Sequence, residues 1–143
     1  MVRLFGSIIL LFIGIHALCQ ESSNAVELLS PEYFIEEMKS VTNAYIIDVR
    51  EPDEFKRERI TGAINILSKS DFTVTLDTIN KASYLFLYCK GGTRSQTVGE
   101  KFVANGFIHV YNLDGGLDAW KKKGLPLDKK KINLPHKIDK SGD

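Results

Sequence analysis

The seven residues Cys89-Lys90-Gly91-Gly92-Thr93-Arg94-Ser95 bring together the groups in this chain that could do covalent chemistry. Thiolate is the nucleophilic form of cysteine, and a helix N-terminus or neighbouring cations lower the thiol from about 8.5 into the range of roughly 3.5–7.5. Both devices are present here. Lys90 and Arg94 stand on either side of a glycine pair, and a helical pattern starts near Ser95. Gly91 and Gly92 lack Cβ atoms, so the backbone can curl and aim several N–H groups inward. A nest of that form at a helix N-terminus binds anions. The pattern predicts a sulfur anion held by the amides of residues 90–95, in a site suited to nucleophilic catalysis. Arg94 would offer a planar fork to the oxygens of an incoming anion, and Lys90 a mobile point charge. Thr93 completes the loop. Ser95 either donates to the sulfur or caps the helix.

Such a loop needs a rigid frame. In open parallel sheets ligands bind at the C-terminal ends of the strands, so the apolar run 83–88 before Cys89 should be a central strand. Residues 44–49, Ala-Tyr-Ile-Ile-Asp-Val, form a second continuous apolar run, as expected where both sheet faces are covered. Further strands are predicted at 27–29, 62–67 and 107–113, the first of them short. Between them lie helical patterns. Ser30 and Pro31 open one as N-cap and first residue, and Tyr33, Phe34 and Met38 share its apolar face. A turn and short helical segment follow at 50–60, where Glu51, Asp53 and Glu54 complement the helix dipole. Residues 71–82 suit strand or helix. Helix is favoured there because a crossover must precede the next strand. Val98, Phe102 and Val103 stripe the helix after the cysteine loop, which stops at Gly106. A short helix over 115–124 closes the unit. Alternating strands and helices indicate an α/β fold: a mainly parallel central sheet with helices on both faces.

Four stretches in order resemble the rhodanese family of sulfurtransferases. "CKGGTRS" is similar to its active-site loop, "YIIDVREPDEF" to its strand and acidic turn, and "ITGAINI" to its Gly-Ala strand entry. "NLDGGLDAWKKKGLPL" is similar to its closing helix. The likeness spans 26–127 and implies one rhodanese-like domain. Four residues separate Cys89 from Arg94, the family's six-residue loop; related phosphatases carry one residue more. The resemblance implies Cys89 as nucleophile and sulfur carrier. It would take sulfur from a thiosulfate-like anion and pass it to cyanide or a thiol, with a thioredoxin-like protein as another acceptor. It implies no metal or organic cofactor. One departure is Glu58-Arg59-Ile60-Thr61-Gly62-Ala63, where many members have Gly-His-Ile-Pro-Gly-Ala; a changed local hydrogen-bond pattern on an intact fold is expected. Three rival readings stay open: a persulfide or redox carrier without turnover, a binding module, and a phosphatase-type or arsenate-type anion enzyme.

The remaining sequence bounds these readings. The chain has 143 residues and a formal net charge of +1, which gives no bias toward nucleic acid. Residues 4–18 form an apolar run after Arg3, shorter than the roughly 20 residues of a spanning helix. Residues 1–19 are therefore expected to be a signal peptide cut after Cys19, giving an exported, periplasmic or extracellular protein. Lipidation of Cys19 or an uncleaved anchor is the alternative that would bring in a membrane. Cleavage leaves Cys89 unpaired in its own chain, and an unpaired cysteine in an exported protein is a candidate reactive thiol. Residues 20–25 read as a polar lead-in and 128–143 as a basic, mobile tail. Asp48 and Arg50 are expected to buttress the strand end, and Trp120 to pack in the core. His109 and His136 have no partners at ligand spacing, so no metal site is expected.

Overall fold

The computed structural model of the chain describes residues 25–130. The expected signal peptide, most of the polar lead-in and the tail from 131 lie outside the described residues.

Five strands, β1 (Glu27–Leu29), β2 (Ala44–Asp48), β3 (Ile64–Asn65), β4 (Tyr84–Tyr88) and β5 (His109–Leu113), form one sheet in the order β1-β5-β4-β2-β3. Every pairing is parallel. The helices are α1 (Pro31–Ser40), α2 (Pro52–Arg57), α3 (Lys69–Thr78), α4 (Thr93–Ala104) and α5 (Gly116–Lys122). β4 is central, as its unbroken apolar run requires. Its side chains alternate between two cores. Leu85, Leu87 and Cys89 join Ile47, Val49, Phe102 and Phe107, with Phe72 and Leu76 of α3 packed alongside. Phe86 and Tyr88 join Phe34, Leu117 and Trp120 on the opposite face, beneath α1 and α5. A strand buried on both faces has no polar side to show, and that is why its sequence does not alternate.

The ambiguous stretch is helical. Ser68 accepts from the Asp71 amide at 3.1 Å while the Asp71 carboxylate accepts from the Ser68 amide at 3.0 Å. This reciprocal capping box starts α3 at Lys69, two residues before the pattern suggested. Boundaries also shift at β3 and α4, while α3 ends at Thr78 and β5 begins at His109. β3 is only Ile64–Asn65, because Thr61 and Gly62 make a turn and only two residues reach β2. α4 begins at Thr93, not Ser95, because Gly92 in a left-handed conformation serves as its N-cap.

The departure at Glu58–Ala63 has a structural counterpart. Arg59 is buried, and its backbone exchanges N–H···O bonds of 3.0 and 2.8 Å with Asp128. Its guanidinium reaches the Asp128 carboxylate at 2.6 Å and the Lys130 carbonyl at 3.1 Å. The basic segment that follows Leu127 is thus tied to the domain at its first residues. Trp120 is core, as expected; its indole N–H donates to the Pro126 carbonyl at 3.1 Å.

Candidate active site

Cys89 leaves the C-terminal end of β4 on the α3/α4 side and is 5% exposed. Hydrocarbon lies behind its sulfur and polar groups lie in front. The Gly92 amide donates to Sγ at 3.1 Å and the Ser95 hydroxyl at 3.5 Å. Burial alone would push the thiol up. The hydroxyl of Ser95 and the amides of Ser95, Gly92 and Gly91 outweigh it and hold the thiol below its ordinary value. Ser95 does not cap α4. It is fully buried and bridges the sulfur to the Gly92 carbonyl, to which it donates at 3.0 Å.

The amides face inward because the carbonyls are engaged outside. Cys89 O accepts from the Leu117 amide at 2.9 Å, and Lys90 O from the Asp118 amide at 3.1 Å. These are amides at the start of α5, which have no partners within their own helix. Such close approach explains the Gly-Gly pair that opens α5. A Cβ on Gly116, whose φ is +58°, would lie 2.5 Å from Lys90 O and 2.6 Å from Cys89 O. Gly92 is similarly confined. Its φ is +96°, and a Cβ there would come within 3.2 Å of Leu113 O. Gly91 faces open space, so of the adjacent pair only Gly92 is demanded by packing.

The two cations expected to flank the sulfur sit differently. Both are exposed. Arg94 Nη1 donates to the Val49 carbonyl at 3.2 Å and lies 3.8 Å from Glu51 Oε1. Neither Arg94 nor Lys90 is among the main groups that depress the thiol; a hydroxyl and backbone amides do that work. The cations line the mouth instead. A cavity of about 250 Å³ opens over the sulfur between Arg50, Glu54, Lys90, Thr93 and Arg94. A larger groove of about 420 Å³ runs between Ile66, Phe72 and Val98. No cysteine, histidine or acid lines it; Cys89 opens to the smaller cavity.

Asp48 and Arg50 buttress the strand end, as expected. Arg50 Nε lies 3.0 Å from both Asp48 oxygens and Nη2 lies 2.6 Å from Oδ2. Nη2 also donates to Glu58 O at 2.7 Å. On the far face the Tyr88 hydroxyl accepts from the Ile60 amide at 3.1 Å. Burial and the adjacent Asp48 push that phenol well up, so it stays protonated.

The sequence did not single out Asn112, or the place of Arg50 and Glu54 on the cavity wall. Asn112 is 1% exposed and donates to the Gly92 carbonyl at 3.0 Å. Its sequence signals are an amide next to last in a mostly apolar strand, three residues before the glycine pair, and its place as the first residue of the closing-helix motif.

Comparison with known proteins agrees with this geometry. The model of the rhodanese-like domain matches residues 30–123. A thiosulfate sulfurtransferase, GlpE, of Coxiella burnetii is 36% identical over 76 residues, covering 53% of this chain and 70% of that protein. The uncharacterized protein YqhL of Bacillus subtilis is 38% identical over 77 residues, 54% of this chain and 60% of its own length. Among solved structures, a rhodanese-like domain protein from Staphylococcus aureus superposes with a TM-score of 0.59 at 29% identity. It covers 71% of this chain and 97% of that one. The Alr3790 protein from Anabaena gives 0.65 at 22% identity over 73% and 94%, a likeness of fold.

Proposed function

The chain belongs to the rhodanese-like domain family, and from that premise we propose that it is a thiosulfate-type sulfurtransferase working through Cys89. The observation that carries this reading is the sulfur's environment: a buried thiol held low by amides and a hydroxyl, open to a cavity with three cations on its wall.

The reaction has two displacements. The Cys89 thiolate attacks the outer sulfur of thiosulfate. The S–S bond of the donor breaks and sulfite departs with the electron pair, leaving a persulfide anion on Cys89. Cyanide or a thiolate then attacks the terminal sulfur, and the bond to Sγ breaks toward Cys89, which regains its thiolate. The inward amides can hold either anion, while Arg94 and Lys90 supply positive field for the sulfonate oxygens; the charge of Arg50 is balanced by Asp48. The Glu54 carboxylate on the same wall opposes a dianion, so selectivity among donors is set at the mouth.

Thiosulfate:cyanide turnover by the purified protein tests the proposal. Parallel double-reciprocal lines, the kinetic mark of a covalent intermediate, are expected for the wild type, with no thiocyanate from Cys89→Ser. Wild type and Cys89→Ser equally inactive toward thiosulfate would overturn it.

A further inference from the structure

Resting on the reading of Cys89 as the reacting sulfur, we propose that Asn112 is a positioning residue that sets the cysteine loop for catalysis, although it touches neither the sulfur nor the cavity above it.

Asn112 lies in β5, beside β4, with its side chain wedged beneath the cysteine loop. Its Nδ2 donates to the Gly92 carbonyl at 3.0 Å and to Gln96 Oε1 at 3.1 Å. The Gly92 carbonyl therefore receives three donors: Asn112 Nδ2, the Ser95 hydroxyl at 3.0 Å and the Gln96 amide at 3.1 Å. A carbonyl has two lone pairs, so this one is saturated and its direction fixed. Of the three donors only Asn112 comes from outside the loop and α4. It is the tie between the sheet and the glycine whose N–H meets Sγ at 3.1 Å. Gly92 is held at φ +96°. Fixing its carbonyl fixes the remaining backbone freedom of that residue, and with it the aim of the N–H.

The same amide carries an uncompensated defect. Asn112 Oδ1 is buried with no hydrogen-bond partner, alone in this among the buried side-chain nitrogen and oxygen atoms of the described residues. A buried acceptor left unpaired destabilises a fold. An apolar side chain of similar size would avoid that loss and still fill the space at the end of β5. The asparagine is therefore poorly explained by packing. It is explained by what its other half does to Gly92.

The test uses Asn112→Leu in the full chain, read by thermal melting and by the pH dependence of Cys89 alkylation. The melting temperature should be unchanged or raised, while the alkylation midpoint moves up by about half a unit, a threefold loss of thiolate at a fixed acidic pH. A lowered melting temperature with an unmoved midpoint would show a packing role and overturn the proposal. Asn112→Asp, which keeps the volume and turns a second acceptor on the Gly92 carbonyl, should raise the midpoint further; an unmoved midpoint there also overturns it. The wild type provides a check free of variants. The Asn112 side-chain amide protons should exchange slowly and shift when Cys89 is alkylated, and fast exchange with no shift counts against the role. Alkylation reports the thiol whether or not sulfur is transferred. A midpoint that follows Asn112 in a protein inactive toward thiosulfate would sink the sulfurtransferase reading and leave this one standing.

Discussion

Replacing Ser95 by alanine removes the one side-chain donor to the sulfur among the described residues and leaves the inward amides in place. A hydrogen bond to a charged group contributes about 1.5–3 kcal/mol. The Ser95 contact, at 3.5 Å and shared with the Gly92 carbonyl, belongs at the low end of that range. Since 1.36 kcal/mol corresponds to one pKa unit, the Cys89 midpoint should rise by about one unit. The rate at a fixed acidic pH falls by less than tenfold, because a more basic thiolate is intrinsically more nucleophilic, with a Brønsted slope of about 0.4–0.5. The midpoint is therefore the quantity to measure, by iodoacetamide alkylation across a pH series. Stability carries the same signature. A thiol whose folded value is depressed adds stability above its unfolded value and loses it as pH falls through the folded one. The gap in stability between wild type and Ser95→Ala should accordingly widen as pH rises toward the ordinary thiol range. A midpoint that stays put in a folded Ser95→Ala protein, or a stability gap independent of pH, would refute the account of how the thiolate is held.

Two further substitutions test the walls of the site. Gly116→Ala drives a methyl group into the Lys90 and Cys89 carbonyls and forces a left-handed alanine; the φ term alone costs about 1–2 kcal/mol. A clearly lowered melting temperature and a slower-reacting Cys89 are expected, whereas Gly91→Ala, facing open space, should melt like wild type. Glu54→Gln removes the opposing charge from the cavity wall. At roughly 5–8 Å in water a unit charge is worth about 0.5–0.8 kcal/mol, so kcat/KM for thiosulfate should rise by about threefold or more, with a smaller rise for a singly charged sulfur donor.

How far the sequence revealed this arrangement differs from element to element. The central strands were legible because Leu85 and Leu87 face one core and Phe86 and Tyr88 the other, which leaves an apolar run with no alternation. The cysteine loop was legible from its residue types and spacing. The orientation of its cations was not. Arg94 turns to the Val49 carbonyl and Glu51, groups more than forty positions away whose placement only the folded sheet decides. The start of α4 was hidden because its N-cap is a left-handed glycine, where side-chain capping signals do not apply. Asn112 was hidden for a related reason. In a linear sequence an amide near a strand end reads as solvent-facing, and only strand pairing brings it under the glycine it holds.

The account stands on Cys89 accepting a sulfur atom and giving it up again. Intact mass of the protein before and after incubation with thiosulfate measures this directly. The predicted result is a gain of one sulfur atom located at Cys89, removed by cyanide with release of thiocyanate and absent from Cys89→Ser. An unchanged mass, with the thiol still free to alkylate, would contradict it.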